Sequence, residues 1–484
     1  MRYALLPVLF CAATALAGFG PNVRIDHEDI PDHGCGFAAI TLGPGTGSNQ
    51  PLLVAFEDDT GIVQPIRADV MFQKSTDAGR TWLPKDVLVR RGSPFAMNPD
   101  ITTDPDGNIY IVYNENGTAL RGFYCVRSSD GGATWFPPTR VDDHDASSLI
   151  GSARIAADSA GNLICAWNDD RTGSLHIWSS VSTDRGATWS QNVRVDDDTT
   201  NDDCYQADVF VQPGTNHYLV AAEAPCPDGH LGCYLYRSTD MGQTFQPGVR
   251  LDTFGGVAGS PHVVADAQHV ICDFTGNSHN SEQINTEART LYTQPDTWGS
   301  LSLVSKLDTS QFWSYYNGAK LAISADGCLH TALMVCHDIS EGLYLTYYVR
   351  SSDHGVTWSR LELVNDDTTT DSWNPDIAAD SAGHAYVVWQ VVSGQVWFST
   401  NCPAAIAEQP SRQTVGVQPL ATIVRNVLRV AERPSSSASP LLDISGREVM
   451  DLKPGANDVS RVSPGIYFVR EARTQAVRKV VITR

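Results

Sequence analysis

The stretch STDRGATW at Ser182–Trp189 is one copy of a phrase that recurs along the chain. The other clear copies are STDAGRTW at Ser75–Trp82, SSDGGATW at Ser128–Trp135, STDMGQTF at Ser238–Phe245 and SSDHGVTW at Ser351–Trp358. Their aspartates, Asp77, Asp130, Asp184, Asp240 and Asp353, are separated by 53, 54, 56 and 113 residues. The last gap is two periods, and TQPDTW, with Asp296, is interpreted as a weakened copy between them. A period of this length predicts an array of one supersecondary unit.

Each repeat also contains four short apolar runs bounded by turn residues. In one repeat they read RIAAD, LICAW, LHIWSSV and NVRVDD, between Arg154 and Asp197. Runs rich in Val, Ile, Tyr and Trp between Gly, Asp and Asn are typical of antiparallel strands joined by tight turns. Four strands per repeat predict an all-β fold, in which each repeat is one blade of a β-propeller.

The phrase Ser-x-Asp-x-Gly-x-Thr-Trp resembles the Asp-box, or BNR repeat, of the sialidase superfamily. Its Asp and Ser side chains can bond backbone N–H groups across a turn, and its Gly supplies a positive φ. In that family the turn joins the third and fourth strands and lies away from the active face. The resemblance therefore implies a structural role for the five aspartates and a propeller over about 380 residues.

The number of repeats predicts seven blades, with six as the alternative because sialidase domains of the family usually have six. The seventh repeat ends early, after VWFST at Val396–Thr400, and lacks its fourth strand. The segment NVRID at Asn22–Asp26 matches the fourth strands of other repeats, such as NVRVD at Asn192–Asp196. We therefore expect the N-terminal strand to complete the last blade and close the ring.

Charge is distributed unevenly. The formal net charge is −21, whereas residues 411–484 hold 12 Lys and Arg against 6 Asp and Glu. An acidic ring argues against nucleic acid or an anionic membrane as a partner. We expect a monomer.

The N-terminus has the features of a secretory signal. Residues 1–17 combine Arg2, an apolar stretch and the sequence Ala15-Leu16-Ala17, and no other stretch is apolar enough to span a bilayer. Ten cysteines remain after cleavage, and an even number in an exported protein favours disulfides, with Cys226–Cys233 and Cys35–Cys402 as candidate pairs. No spacing of these cysteines resembles a zinc site.

The tail is predicted to be a separate small β-sandwich (418–484), joined to the propeller (18–402) by a linker (403–417). Its features resemble the C-terminal sorting domain of the type IX secretion system. The residues concerned are LDISGR at Leu442–Arg447, LKPG at Leu452–Gly455, VSPGIYFV at Val462–Val469 and a basic end at Arg478–Arg484. This resemblance implies export by the type IX machinery of a Gram-negative bacterium, with the protein released or attached to the outer surface.

The sialidase resemblance also implies a set of catalytic residues. Asp58 or Asp59 would be the acid/base, Glu223 the activator, and Tyr315 or Tyr316 the nucleophile. A carboxylate clamp would draw on Arg67, Arg121, Arg171 and Arg289. However, the Arg-Ile-Pro phrase of the family is absent, since the first strand reads GCGFAAI at Gly34–Ile40.

Two further interpretations remain open. One is a glycoside hydrolase for neutral glycans that uses a carboxylate pair, with Trp313 and Trp373 as stacking platforms; its carboxylates would come from Glu57, Asp58, Asp59, Asp169 and Asp170. The other is a non-catalytic ring that binds a glycan or a protein. No cofactor is predicted, although DDDTTNDD at Asp196–Asp203 and NDDTTTD at Asn365–Asp371 could coordinate calcium.

Overall fold

The computed structural model describes residues 18–27, 34–59, 67–92, 95–117, 121–144, 151–199, 202–227, 229–252, 258–276, 285–293, 296–305, 313–338, 342–403, 422–424, 427–430, 439–443, 447–453, 455–470 and 477–482. The predicted signal segment (1–17) and nearly all of the predicted linker (403–417) lie outside these residues. The chain divides into two compact units, the first up to Ala407 and the second from Glu408.

The first unit is all-β, as the sequence predicts. Up to Cys402, the described strands form seven antiparallel sheets, consistent with a propeller and numbered here by chain order. Sheet 1 holds Gly34–Leu42, Leu52–Asp59, Ala68–Ser75 and Val87–Arg90, with a 3-10 turn at Gly47–Asn49. Sheet 2 holds Ala96–Thr103, Ile109–Asn116, Arg121–Ser128 and Thr139–Arg140. Sheet 3 holds Arg154–Ala157, Leu163–Asp169, His176–Ser182 and Val193–Arg194.

Sheets 4 and 6 repeat this order of four strands, whereas sheets 5 and 7 vary it. Sheet 4 holds Tyr205–Val211, Tyr218–Pro225, Leu231–Ser238 and Val249–Arg250. Sheet 5 holds Ala258–Ala265, His269–Gly276, Asn285–Tyr292, Thr297–Trp298 and Ser302–Leu303. Sheet 6 holds Trp313–Ile323, Leu329–Asp338, Leu343–Ser351 and Glu362–Leu363. Sheet 7 holds Ser372–Ala379, Ala385–Val391 and Gln395–Thr400, together with Val23–Arg24.

Sheet 7 combines strands from both ends of the unit. Val23 lies opposite Phe398 in an antiparallel pair, and Asp26 Oδ1 accepts a hydrogen bond of 2.7 Å from the backbone N–H of Val396. The same sheet contacts sheet 1, because the N–H of Ile40 donates to Asp376 Oδ2 at 2.8 Å. The first and last repeats of the sequence are therefore neighbours in space.

The Asp-box turns have one common geometry. In STDRGATW, Ser182 Oγ donates to Asp184 Oδ1 and accepts from the N–H of Gly186, both at 2.8 Å. The Asp184 carboxylate accepts from the Thr188 N–H at 2.8 Å and from its hydroxyl at 2.6 Å. Each carboxylate thus bonds the backbone and side chains of its own turn, and the same bonds form around Asp77, Asp130, Asp240 and Asp353.

The glycine of each box packs against the preceding sheet. At Gly79, where φ is +88°, an added Cβ would lie 2.2 Å from the Phe398 ring. The backbone conformation and the close approach both require glycine there. Trp82 of the same box meets Phe398 edge-on, with ring centroids 5.1 Å apart.

The weakened copy at Asp296 has a different geometry. Asp296 itself has φ of +63°, a conformation that the residue after the aspartate takes in complete boxes, as at Arg185 with φ of +61°. Its carboxylate pairs with Arg237 at 3.3 Å. Asp296 is therefore not the structural equivalent of the other five aspartates.

A second repeated device follows the fourth strands. Asp252 accepts from the N–H of Cys233 at 3.0 Å and from Arg250 Nη2 at 2.6 Å. The same arrangement of an arginine two residues before a buried aspartate occurs in Arg24/Asp26, Arg140/Asp142 and Arg194/Asp196. In each pair the aspartate holds a backbone N–H group of the third strand of its sheet.

The cores of the first unit lie between neighbouring sheets. Trp167 and Trp389 are among the largest fully buried side chains, each within a cluster that joins two sheets. The structure holds the ten cysteines from Cys35 to Cys402 as thiols, so the expected Cys226–Cys233 and Cys35–Cys402 disulfides are not formed. Cys226 Sγ instead accepts a hydrogen bond from the Tyr234 hydroxyl at 3.4 Å.

The second unit is also built of strands. Its five-stranded sheet has the order Thr422–Val424, Val477–Ile482, Gly465–Arg470, Ser439–Leu442 and Glu448–Leu452, and Val427–Val430 pairs with Gly455–Asp458. It has its own core, which includes Leu428, Leu441 and Leu452. Across the described parts of both units, no helix has the length and apolar character needed to cross a bilayer.

Candidate functional site

The first strands of several sheets begin with a β-bulge that has an unusual backbone conformation. The bulge residues Phe37, Asn98, Gln206, Ser260 and Asn374 have φ between +44° and +51°. Such values cost energy for residues other than glycine, so they persist only where neighbouring groups hold them. Bulges of this kind often lie beside binding sites.

Side chains from the second strand of the preceding sheet hold three of these bulges. The N–H of Phe37 donates to Gln390 Oε1 at 2.6 Å, and that of Ser260 donates to Glu223 Oε1 at 2.6 Å. The N–H of Asn98 donates to Glu57 Oε2 at 3.2 Å. Glu57, Glu223 and Gln390 therefore have equivalent positions in the repeat and the same bond.

The bulges surround a cavity of about 370 Å³. Its walls carry carboxamides and hydroxyls from separate sheets, with aromatic rings beside them. The polar neutral groups are Asn98, Ser152, Asn168, Tyr205, Gln206, Ser260 and Asn374. The Phe37 side chain, which is 47% exposed, adds an apolar surface. The cavity can therefore offer hydrogen-bond donors, acceptors and a ring face to one small polar ligand.

Ionisable side chains line the same cavity and continue into a second one of about 320 Å³. Asp208, His262, Lys320 and Asp376 line both cavities. The aspartates also link sheets, since Asp208 Oδ2 accepts from the N–H of Val263 at 2.9 Å. Arg154 completes this ionisable set and lies 3.7 Å from Asp100.

Burial dominates the ionisation of these groups. It raises the pKa of Asp208 and of Asp376, while the positive charge of Lys320 opposes that shift. Burial, with Lys320 and Arg154, lowers the pKa of His262 well below its usual range, so this ring is neutral at pH 7. His262 Nδ1 lies 3.2 Å from the buried Asp273 carboxyl, which positions the ring.

The predicted catalytic carboxylates lie outside this cavity. Asp58 is buried next to Cys35 Sγ, 3.8 Å away, and Asp59 ends the second strand of sheet 1. Neither they nor Glu223 belong to the described lining. Burial, with repulsion from Asp59 and Asp58, raises the pKa of Glu57 to about 7, and burial raises that of Glu223. Of these carboxyls, Glu57 and Glu223 support the wall of the cavity through their hydrogen bonds to the bulges.

The predicted arginines do not meet in the cavity. Arg171 pairs with Asp169 at 2.6 Å and Asp143 at 2.8 Å, and lies over Trp178 at 4.3 Å. Arg67 pairs with Asp69 at 3.2 Å. Of the described arginines, the lining includes Arg154 alone.

The other two predicted arginines also lie elsewhere. Arg289 Nη1 donates to the carbonyl of Leu251 at 3.3 Å, and its guanidinium lies 5.4 Å from the Trp298 ring. Arg121 is exposed at the start of a third strand, where its carbonyl accepts from Arg140. Neither arginine is part of the described cavity lining.

The predicted aromatic residues lie in or beside the first strands of sheets 6 and 7. The side chains of Trp313, Tyr315 and Tyr316 lie outside the described part of the structure. Trp373 directly precedes the bulge at Asn374, and its ring centroid lies 5.7 Å from that of Tyr344. It is not part of the described cavity lining.

The two runs considered for calcium bond the backbone. Asp196 and Asp203 accept from the N–H groups of Ile177 and Leu175, at 2.7 and 2.9 Å. Asp371 accepts from the N–H of Tyr344 at 2.7 Å. These carboxylates thus stabilise strand ends, which is the role expected of Asp-rich turns.

Sequence reasoning missed the residues that line the cavity. One signal was available, because the phrase Asn-Pro-Asp-Ile occurs at Asn98–Ile101 and again at Asn374–Ile377. Both copies form a bulge and its following aspartate. The repeated phrase marks two walls of the cavity.

Comparison with solved structures gives remote similarities. A protein of unknown function from Dyadobacter fermentans is 16% identical over 78% of this chain and 97% of that chain, with a TM-score of 0.46. The α-L-arabinofuranosidase of Fusarium graminearum from family GH93 is 13% identical over 79% of this chain and 97% of that chain, with a TM-score of 0.45. The Hadza microbial sialidase Hz136 is 16% identical over 77% of this chain and 66% of that chain, with a TM-score of 0.44.

No curated protein matches the chain. Residues 66–252, which span four of the five complete Asp-boxes, match the family described as a BNR repeat-like domain.

Proposed function

We propose that residues 18–402 form a seven-bladed propeller, closed by the N-terminal strand, that binds a carbohydrate outside the cell. The observation that carries the proposal is the cavity of about 370 Å³ walled by carboxamides. Asn and Gln side chains both donate and accept hydrogen bonds, as sugar hydroxyls do. The volume lies within the range of small-molecule sites.

The charges favour a neutral sugar, or one with a single anionic group, over an exo-sialidase substrate. A sialidase clamp needs several arginines directed at one carboxylate. Arg67 and Arg171 are engaged by aspartates, and Arg289 by backbone carbonyls. Arg154 and Lys320 share the cavity with Asp208 and Asp376, which offset their charge.

A glycan-binding screen tests this function. We expect the full chain to bind members of an oligosaccharide array, and Phe37→Ala to weaken binding by roughly 1 kcal/mol because a stacking surface is lost. Phe136→Ala is the matched control, since that ring is 44% exposed and lies outside the cavity lining. Equal losses in both variants, or binding to no glycan, would refute a carbohydrate site at this cavity.

Glycoside hydrolysis is the second candidate function. It is favoured by Glu57, whose pKa of about 7 would suit a general acid and which lies beside Asp58 and Asp59. A panel of fluorogenic glycosides, sialosides included, separates the two functions. Turnover that Glu57→Gln abolishes would favour a hydrolase, whereas binding without turnover of any member leaves a non-catalytic propeller.

For the second unit, we propose the role of a type IX sorting domain that directs export from a Gram-negative bacterium. Its support is the motif series in the sequence and a core of its own around Leu441, Leu452 and Val480. Fusion of residues 408–484 to a periplasmic reporter tests it. The reporter should reach the surface or medium of a type IX-competent strain, and should stay in the periplasm of a strain without that machinery.

A further inference from the structure

A cluster of two histidines and an aspartate lies on the Asp-box side of the first unit, between sheets 5 and 6. Asp266 and His269 belong to the turn between the first two strands of sheet 5. His354 is the variable residue of the Asp-box SSDHGVTW in sheet 6. One ligand atom from each of the three residues lies within 4.8 Å of the other two.

The contacts leave one carboxylate oxygen and two imidazoles facing each other. Asp266 Oδ1 accepts from the N–H groups of Gln268 and His269, both at 2.7 Å, which fixes the carboxylate. Its Oδ2 lies 3.0 Å from His269 Nδ1 and 3.7 Å from His354 Nδ1. The two imidazole rings stack with centroids 3.9 Å apart.

The imidazole of His354 has one nitrogen that forms no hydrogen bond. Its Nδ1 is buried and has no hydrogen-bond partner, which is costly for a polar atom. Burial, with the neighbouring His269, lowers the pKa of His354. An unsatisfied buried nitrogen beside a second histidine and a fixed carboxylate is a donor set that suits a metal ion.

We propose that Asp266, His269 and His354 form a binding site for a divalent transition-metal ion such as Zn²⁺, which joins two neighbouring sheets. Two ligand atoms of a tetrahedral zinc site lie about 3.3 Å apart. This distance lies between the two separations from Asp266 Oδ2, which are 3.0 Å to His269 Nδ1 and 3.7 Å to His354 Nδ1. The ion would replace the proton on His269 Nδ1 and would require the stacked rings to tilt. Water would fill the remaining position, since His354 keeps 34% of its side-chain surface exposed.

The repeats contain a natural comparison for this site. In sheets 2 and 3, the turn residue Asp104 faces Arg185, the variable residue of the next Asp-box, at 3.8 Å. There a guanidinium supplies the positive charge that we assign to a metal ion between Asp266 and His354. Arg185 and His354 also share a positive φ, of 61° and 57°, so arginine fits this backbone.

A second comparison lacks the third ligand. In the first turn of sheet 7, His384 Nδ1 lies 2.9 Å from Asp380 Oδ2, much as His269 lies beside Asp266. Ala78 is the variable residue in the Asp-box of sheet 1, which neighbours sheet 7, so no second imidazole comes from that position. This pair should not hold the ion, and His384→Ala is the matched control.

Calorimetric titration of the full chain with Zn²⁺ tests the site. We expect one ion per chain, affinity at least roughly 10-fold weaker in His354→Arg and His269→Ala, and unchanged affinity in His384→Ala. Zn²⁺ should also raise the Tm of the wild type and of His384→Ala, but not that of His354→Arg. His354→Arg should keep the fold, because it reproduces the arrangement of Asp104 and Arg185. Absence of binding in the wild type would overturn the proposal, as would equal affinity in wild type and folded His354→Arg.

Discussion

The carboxylate of Glu57 accepts a hydrogen bond of 3.2 Å from the N–H of Asn98, at the bulge that opens the next sheet. In the corresponding place, Gln390 accepts from the N–H of Phe37 at 2.6 Å. The bond is the same, but only glutamate must desolvate a charge to make it. Glu57 therefore carries an electrostatic cost that Gln390 avoids.

Because of this cost, we predict that Glu57→Gln stabilises the fold by an amount that depends on pH. The pKa of Glu57 is raised from an ordinary 4.5 to about 7. Below pH 4.5 the group is protonated in both states, whereas between pH 4.5 and 7 only the unfolded chain releases the proton. The free energy of unfolding should thus fall by up to about 3 kcal/mol over that window. Thermal unfolding should give Glu57→Gln a higher Tm than the wild type at pH 8 and an equal Tm at pH 4.5.

The reverse substitution is the control for this prediction. Gln390→Glu places a carboxylate at the equivalent bulge and should lower the Tm at pH 8 more than at pH 4.5. If the Glu57→Gln variant is no more stable than the wild type at pH 8, burial of the Glu57 charge does not destabilise the fold and the prediction is wrong.

The strands and turns were predictable because their signals are local. Each Asp-box contains every side chain that bonds within its turn, so eight residues predict the structure. The weakened copy at Asp296 was misaligned because a lone Asp and Trp do not fix the register without the Ser and Gly. The motif alone therefore predicts a turn only where it is complete.

The cavity was not predictable in the same way. Each sheet contributes one or a few residues to it, and Phe37, Gln206 and Asn374 lie far apart in the sequence. Their shared feature is a positive φ in a bulge, which has no single residue signature. Likewise Asp266 and His354 meet only because their sheets are neighbours, so no local spacing could reveal the cluster.

The lowered pKa of an Asp-box carboxylate predicts that the fold loses stability in acid. Hydrogen bonds from Thr134 and Ser128 lower the pKa of Asp130 from 3.8 to about 2. The folded state therefore favours the carboxylate, and its contribution is present above pH 3.8 and lost as the pH falls to about 2. Asp130→Asn should lower the Tm at pH 7, and the difference from wild type should narrow towards pH 2. Asp296→Asn, which alters no such turn, should change the Tm little; a pH-independent gap for Asp130→Asn would count against this account.

Substitution of Arg171 distinguishes a structural role of this residue from a role in ligand binding. Its side chain is 9% exposed and joins Asp169, Asp143 and the face of Trp178. Lysine cannot reproduce the planar fork, so Arg171→Lys should destabilise the fold by roughly 2–4 kcal/mol in denaturant unfolding. Ligand affinity of the folded variant should be unchanged. Loss of sialoside binding with unchanged stability would instead support the carboxylate clamp implied by the sialidase resemblance.

The last prediction concerns the N-terminal strand. Val23 and Arg24 pair with Phe398 and Trp397, and Phe19 meets Tyr348 of sheet 6 edge-on at 5.1 Å. Residues 18–27 therefore contact sheets 6 and 7, so their removal should expose both an unpaired strand edge and the Tyr348 ring. A chain that begins at residue 28 should have a Tm several degrees lower and a greater tendency to associate, measured by calorimetry and light scattering. A chain that ends at residue 407 is the matched control, because the second unit has its own core, and its Tm for the first unit should be unchanged. If the N-terminal deletion unfolds at the wild-type temperature as a monomer, the strand does not close the ring.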